Sequence, residues 1–240
     1  MQDIDHYIDF VDHDRFSMPE GVARVTAGSG GEAYLIDCNG KTALYDCGMA
    51  YCHDELLKNI RLKLSEWGYD KLDYALLSHT HYDHIGALPY VIKAYPEIKV
   101  IAAPKAEKVF LSEGAKKTMK RLGEAARDDY GSECQKSQEI LVSPLRVDIS
   151  ASDMQDISIG EKTIRVIFTP GHTDCSVSYL ILPDSIMFLS ESTGVIRGPE
   201  YLTTAILKDY TQSIESTYKC KNIGAKTLIP SHFGTLPEYY

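Results

Sequence analysis

LLSHTHYDHIGALP, residues 76–89, places three histidines and an aspartate within six positions, directly behind an apolar run. Buried polar groups without partners are costly, so a folded chain keeps such a cluster in order to bind something. DYALLS before it reads as a short buried strand, and IGALPYVIKAYP after it as a helix. The cluster therefore falls where a strand runs out at a sheet rim. His79 and His81 are two apart, which points both imidazoles to one side of an extended chain. Asp83 and His84 follow as the chain turns into the helix, and face a neighbouring point. Imidazoles and carboxylates together suit zinc, iron or manganese. An imidazole with a pKa near ~6.5 is largely neutral at pH 7 and free to ligate.

The same placement recurs elsewhere. Five of the eight histidines lie at ends of predicted strands: the three in the cluster, His172 in TPGHTDCS and His232 in PSHFG. His6, His13 and His53 lie in the first quarter, outside any motif. Glu191, in FLSES, offers a second carboxylate. One rim of a sheet is where sites in α/β proteins are assembled.

VARVTAG, EAYLIDC and KTALYDCG alternate apolar and polar residues and predict a meander, with Asn39-Gly40 a good hairpin turn. GSGGE (28–32) reads as a turn, since no βαβ pattern or Walker lysine accompanies it. DELLKNIRLKLSEWG is helical and stops at Gly68. KVIAAP is a strand, and 104–130 is helical with many charges and one apolar stripe. No clear period follows, so 104–150 reads as an insertion or cap. DISI, GEKTIRVIFTPGHT, VSYLILP and SIMFLS are strands, AILKDYTQSIESTYKC is a helix, and KTLIPSHFG is a last strand. Two β-rich halves, each carrying helices, predict an α/β fold of two packed sheets with helices outside. This is a four-layer αββα sandwich, expected as one domain over residues 1–240.

Composition narrows the function. Of 240 residues, 44% are hydrophobic and 25% charged, which suffices for a core. The net charge of −9 argues against nucleic acid as the main partner, because phosphates need Lys and Arg. No apolar run approaches the ~18 residues that span a bilayer, and the acidic N-terminus lacks a signal region. A cytoplasmic location, a small-molecule substrate and no membrane partner are expected, and a homo-oligomer is allowed. The six cysteines form no CxxC pair and read as reduced, mostly buried thiols.

HTHYDH, PGHT and SHFG, in this order and at these separations, resemble the metallo-β-lactamase-fold hydrolases over nearly the whole chain, from about Val22 to His232. The resemblance implies an αββα sandwich with two divalent ions at one edge, zinc first, with iron or manganese as alternatives. By position His79, His81 and His172 would hold one ion, and Asp83, His84 and His232 the other. Glu191 stands where the family usually has an aspartate that bridges both. It is one methylene longer. It is expected to bridge from a withdrawn backbone, to bind one ion, or to act as a hydrogen-bond acceptor behind the ligands.

The implied chemistry is hydrolysis by a metal-bound hydroxide, with Asp83 as both ligand and proton acceptor. Lactamases with a cysteine ligand do not match at Glu191. Flavin-dependent di-iron members typically have Glu at the position of His81. RNA-processing members are larger or carry basic arms, and glyoxalase II types have a C-terminal glutathione-binding segment that the eight residues after His232 do not supply. Small esters, thioesters, lactones and phosphodiesters remain. The alternatives are a di-iron redox protein of the same fold and a non-catalytic metal-binding regulatory protein. Residues 105–121 are locally basic, which predicts either anion attraction or a solvated helix face. Tyr82 and Cys175 read as core residues, and Ser176 and Ser192 lack a histidine free to activate them.

Overall fold

The computed structural model describes residues 18–198 and 201–232. His6 and His13 lie outside them. The first half forms β1 (Val22–Arg24), β2 (Tyr34–Asp37), β3 (Thr42–Tyr45), α1 (His53–Glu66), β4 (Tyr74–Leu76), α2 (Tyr82–Ile85), α3 (Leu88–Ala94) and β5 (Lys99–Ala102). Then come α4 (Pro104–Leu111), α5 (Glu113–Tyr130), α6 (Glu133–Lys136) and β6 (Ile149–Ser150). The second half forms β7 (Asp156–Ile159), β8 (Lys162–Phe168), β9 (Val177–Leu182), β10 (Ile186–Phe188), β11 (Val195–Gly198), β12 (Tyr201–Thr203), α7 (Tyr210–Ile223) and β13 (Thr227–Ile229).

Six strands in the order β1-β2-β3-β4-β5-β6 make one mixed sheet, and five in the order β13-β10-β9-β8-β7 make the second. The β1–β3 meander is antiparallel, and β3 to β6 run parallel. Asn39 and Gly40, at φ 53° and 91°, make the turn between β2 and β3. The small β11–β12 hairpin was not foreseen.

Two facing sheets explain why the central strands are apolar throughout. Along β9, Val177, Tyr179 and Ile181 enter the core between the sheets, while Leu180 packs with Ile167, Met187 and Cys220 beneath α7. Tyr34, Tyr45, Tyr179 and Phe188 meet at the centre, with the Tyr45 and Phe188 rings 4.9 Å apart. Two phenols tie the sheets together: Tyr45 donates to Leu189 O (2.8 Å) and Tyr179 to Leu77 O (2.8 Å). Helices flank both sheets, as the αββα expectation requires.

The last helix differs from its expected start. It begins at Tyr210 rather than near Ala205, because the Asp209 carboxylate caps Gln212 N (2.9 Å). Residues 205–208 pack instead on the loop after β8, where Lys208 N and Asp209 N donate to Gly171 O at 3.2 and 3.0 Å. No helix among the described residues is long and apolar enough to cross a membrane. Cys38, Cys47, Cys52, Cys175 and Cys220 are free and buried.

Candidate metal centre

Five strands deliver the site, each from its C-terminal end. β3 leads into Asp46, β4 into His79, β8 into His172, β10 into Glu191 and β13 into His232. The parallel pairing of β3 with β4 and of β10 with β13 brings these ends to one rim.

Beyond β4 the chain leaves the sheet at Ser78, whose N–H donates to Asp46 Oδ1 (2.8 Å). His81 is extended and stands at the N-cap of α2, so Asp83 and His84 emerge from the first helical turn. The expected sidedness follows: His79 Nε2 and His81 Nδ1 are 3.0 Å apart. His172 Nε2 also lies 3.0 Å from His81 Nδ1. His84 Nε2 and His232 Nε2 are 2.9 Å apart, each 3.4 Å from Asp83 Oδ2.

Glu191 sits on a short 3-10 turn (Glu191–Thr193) and is fully buried. Its Oε1 lies 2.6 Å from His84 Nε2, 3.1 Å from His232 Nε2 and 3.6 Å from His79 Nε2. Its Oε2 lies 3.3 Å from His172 Nε2 and has no hydrogen-bond partner among the described residues. The carboxylate thus stands between the two groups, one oxygen toward each. The seven residues singled out from the sequence fall into two sets of mutually close ligand atoms: His79, His81 and His172, and Asp83, His84, Glu191 and His232.

The rings are locked from behind. Asp46 Oδ2 accepts from Ser78 Oγ (2.6 Å) and from His84 Nδ1 (2.9 Å). Because that hydroxyl donates to the carboxylate, Ser78 Oγ accepts from His79 Nδ1 (2.9 Å). His172 Nδ1 donates to Ala205 O, and Ser192 Oγ accepts from His172 N (3.0 Å). In His79, His84 and His172 the outer nitrogen therefore carries the proton and Nε2 faces inward. Sequence reading missed Asp46, Ser78 and Ala205. The one available signal was an aspartate directly after the apolar strand TALY, at the same rim.

Two glycines let the backbone come close. A Cβ on Gly31 would meet His84 Nδ1 at 2.6 Å, and Gly31 N donates to Asp83 O (3.1 Å). The GSGGE loop is thus more than a turn between β1 and β2: it abuts the candidate ligands Asp83 and His84. Gly171, at φ 134°, lies against Ser213, whose Oγ would be 2.2 Å from an added Cβ.

Charge divides the two sets. Burial, then neighbouring imidazoles, push His79 far below its usual range, and burial with His172 brings His81 down to about 4. Burial also lowers His172, with Glu191 pulling the other way. In the second set burial opposes charging, but Glu191 and Asp83 hold His232 up at about 9, and Asp83 and Asp46 raise His84 strongly. Burial likewise works against ionising Asp83 and Glu191, yet His84 and His232 keep both carboxyls well below their usual range. Three neutral imidazoles with nitrogens 3.0 Å apart, and a buried carboxylate oxygen without a hydrogen-bond partner, fit a cation in each half.

The remaining residues are supporting. Tyr82 is buried beside Ala50, Met119 and Gly123. Cys175 Sγ lies 3.4 Å from Thr80 Oγ1, and Ser176 Oγ bonds Thr173 N (3.1 Å). His53 stacks on Tyr90 at 3.7 Å, far from a ligand role. Three of the six basic residues of the run stand beside acids: Lys116 with Glu113, Lys120 near Glu139, and Lys105 with Asp174.

The family model of the metallo-beta-lactamase superfamily matches residues 27–232. The metallo-beta-lactamase fold-containing protein ST1585 of Sulfurisphaera tokodaii is 30% identical over 170 residues, 69% of this chain and 62% of that protein. Its crystal structure superposes with a TM-score of 0.66 at 23% identity, covering 90% of this chain and 81% of that one. An atrochrysone carboxyl ACP thioesterase of Aspergillus fumigatus is 22% identical over 218 residues, 88% of this chain and 55% of that protein. A shorter match, 35% over 78 residues, is to Ribonuclease TTHA0252 of Thermus thermophilus, covering 32% of this chain and 16% of that protein. The chain thus spans less than two thirds of the length of these curated relatives. With the family motifs assembled at one rim of two facing sheets, the chain belongs to the metallo-beta-lactamase superfamily.

Proposed function

We propose that the chain is a metal-dependent hydrolase acting on small-molecule esters, thioesters, lactones or phosphodiesters. His79, His81 and His172 would hold one divalent ion and Asp83, His84 and His232 the other, with Glu191 placed to serve both. Zinc fits this nitrogen-rich set best, with manganese or iron as alternatives. The observation that carries the reading is the pair of adjacent ligand sets facing one shared carboxylate. Such ions, when bound, polarise a substrate oxygen and bring the pKa of water down toward ~7.

The protein's own groups do the rest. Asp46, Ser78 and Ala205 fix the imidazole orientations. Asp83, held ionised, accepts the proton of the attacking water. Segment 104–150 acts as a cap: α5 packs on α2 and on the turn Ala50–Cys52, and Tyr90 pins the far end through Glu139 O (2.7 Å) and Leu141 N (2.9 Å). One domain over residues 1–240 is part of the same reading.

Elemental analysis of protein purified without added metal is expected to give two zinc or manganese per chain. A panel of chromogenic esters, thioesters, lactones and phosphodiesters is expected to give turnover that chelation abolishes. Metal-free protein would overturn the reading, as would iron with oxygen or nitric-oxide turnover.

The two half-sites are expected to respond differently to pH. Loading the second displaces protons from His84 and His232, whose pKa values are raised, so its affinity rises with pH toward about 9. The first set is already neutral and holds its affinity. From pH 8 to pH 6 the second-site Kd should rise by about a factor of ten per pH unit for each proton displaced, approaching a hundredfold per unit when both leave. Calorimetric titration at three pH values measures this, and equal slopes for both ions would contradict it.

A further inference from the structure

Three chain segments meet beside the one ligand that is not fully buried. His81 is partly exposed, while His79, Asp83, His84, His172, Glu191 and His232 are buried. Among the described residues, the approach to the site therefore runs past His81. Thr80, its neighbour, touches Cys175, and the residue before Cys175 is Asp174. Two lysines converge on Asp174: Lys105 at 3.3 Å and Lys208 in direct contact.

Neither lysine arrives there by chance of a long surface loop. Lys105 stands in the first turn of α4, directly after β5, which lies beside β4 in the sheet. Lys208 belongs to the segment whose Ala205 carbonyl holds His172 and whose backbone bonds Gly171. Both ammonium groups are thereby tied to the loop that carries a ligand.

One carboxylate neutralises one lysine. The second leaves a local surplus of positive charge in a chain whose net charge is −9. Each ammonium has three donors, and the lysine side chains are 60% and 54% exposed against 33% for Asp174. The spare donors therefore face solvent. A purely structural bridge needs one lysine. A pair held in place by a shared carboxylate is suited to grip an incoming anion.

We propose that Lys105 and Lys208 recognise an anionic group, a carboxylate or a phosphate, at the end of the substrate remote from the scissile bond. Asp174 positions the two ammonium groups. This rests on the hydrolase reading and narrows it to substrates that carry negative charge.

The test compares three 4-nitrophenyl esters of similar length: the monoester of glutarate, its phosphonate counterpart, and the neutral pentanoate. In the Lys105→Ala/Lys208→Ala double variant, KM for the favoured anionic ester is expected to rise about tenfold. Its kcat should hold, and the pentanoate constants should be unchanged. Which anionic ester is affected more tells carboxylate from phosphate recognition. Raising the salt to 0.5 M should erase the difference in the wild type, at about the ionic strength where screening is strong. The exposed Lys117→Ala serves as the control for lost surface charge. Equal changes on the charged and neutral esters, or none on either, would overturn the proposal. Calorimetric binding of glutarate and acetate to metal-loaded protein keeps the two readings apart. If no member of the full ester, thioester, lactone and phosphodiester panel is turned over, the hydrolase reading fails, yet glutarate binding weakened only in the double variant still supports the anion grip. Unchanged glutarate binding would defeat it.

Discussion

Asp46→Asn is expected to weaken the binding of both metal ions although it changes no candidate ligand and almost no volume. The native carboxylate only accepts. It takes Ser78 N on Oδ1, and Ser78 Oγ and His84 Nδ1 on Oδ2. An amide that keeps the first bond places its NH2 where Oδ2 stood. His84 Nδ1 must then accept, which moves its proton to Nε2, the atom that faces the site. The amide also donates to Ser78 Oγ, freeing that hydroxyl to donate to His79 Nδ1 and reversing the second ring as well. One buried carboxylate thus sets the tautomer of a histidine in each half of the site. Loss of a group behind a metal ligand typically costs 10- to 100-fold in affinity, and here about that factor is expected at both half-sites.

Asp46→Ala should add a stability loss. It strands three buried donors, breaks the contact with a charged imidazole, and leaves alanine at φ 50°, a left-handed position. Breaking a buried pair of this kind costs about 3–5 kcal/mol, which for a domain of this size lowers Tm by roughly 10 °C. The asparagine variant separates the two effects, because it tolerates the backbone. Two ions bound to Asp46→Asn with wild-type affinity would dismiss the relay.

These supporting groups were hard to see in the sequence for a physical reason. The ligands announce themselves, because imidazoles spaced two apart at a strand end have few other uses, and PGHT and SHFG repeat the strand-end placement. Asp46 looks like any polar residue that ends a strand. Its role appears only once β3 pairs with β4 in the register that sets Tyr45 opposite Leu76, since that register puts Asp46 beside Ser78. Ala205 acts through its carbonyl, which no residue identity encodes. The α7 boundary was misjudged for a related reason: 205–208 has helical composition, but its backbone bonds go to Gly171. The αββα architecture was legible because runs such as VSYLIL are too apolar for a sheet with a wet face. The role of GSGGE was not, because a close approach to Asp83 and His84 is a tertiary fact.

Glu191 stands where the family resemblance implies an aspartate, and its replacement should have the other large effect. A glutamate reaches about one C–C bond, ~1.5 Å, further than an aspartate. Here that length is used to stand midway: Oε1 faces His84 and His232, and Oε2 faces His172. The geometry does not match a carboxylate acting behind the ligands, because it bonds inward-facing Nε2 atoms. Glu191→Ala removes the anion that both halves face and is expected to reduce the bound metal from two ions to one, with activity falling at least 100-fold. Glu191→Gln keeps the shape and loses the charge, so it should resemble alanine if charge decides. Glu191→Asp keeps the charge and loses the reach. It should hold the ion in the Asp83 set, which Oε1 approaches most closely, while weakening the other. Metal content by elemental analysis and cobalt absorption spectra read this independently of turnover. Two ions with unchanged affinity in Glu191→Ala would show that the longer carboxylate does not join the halves, and that the three remaining ligands on each side suffice.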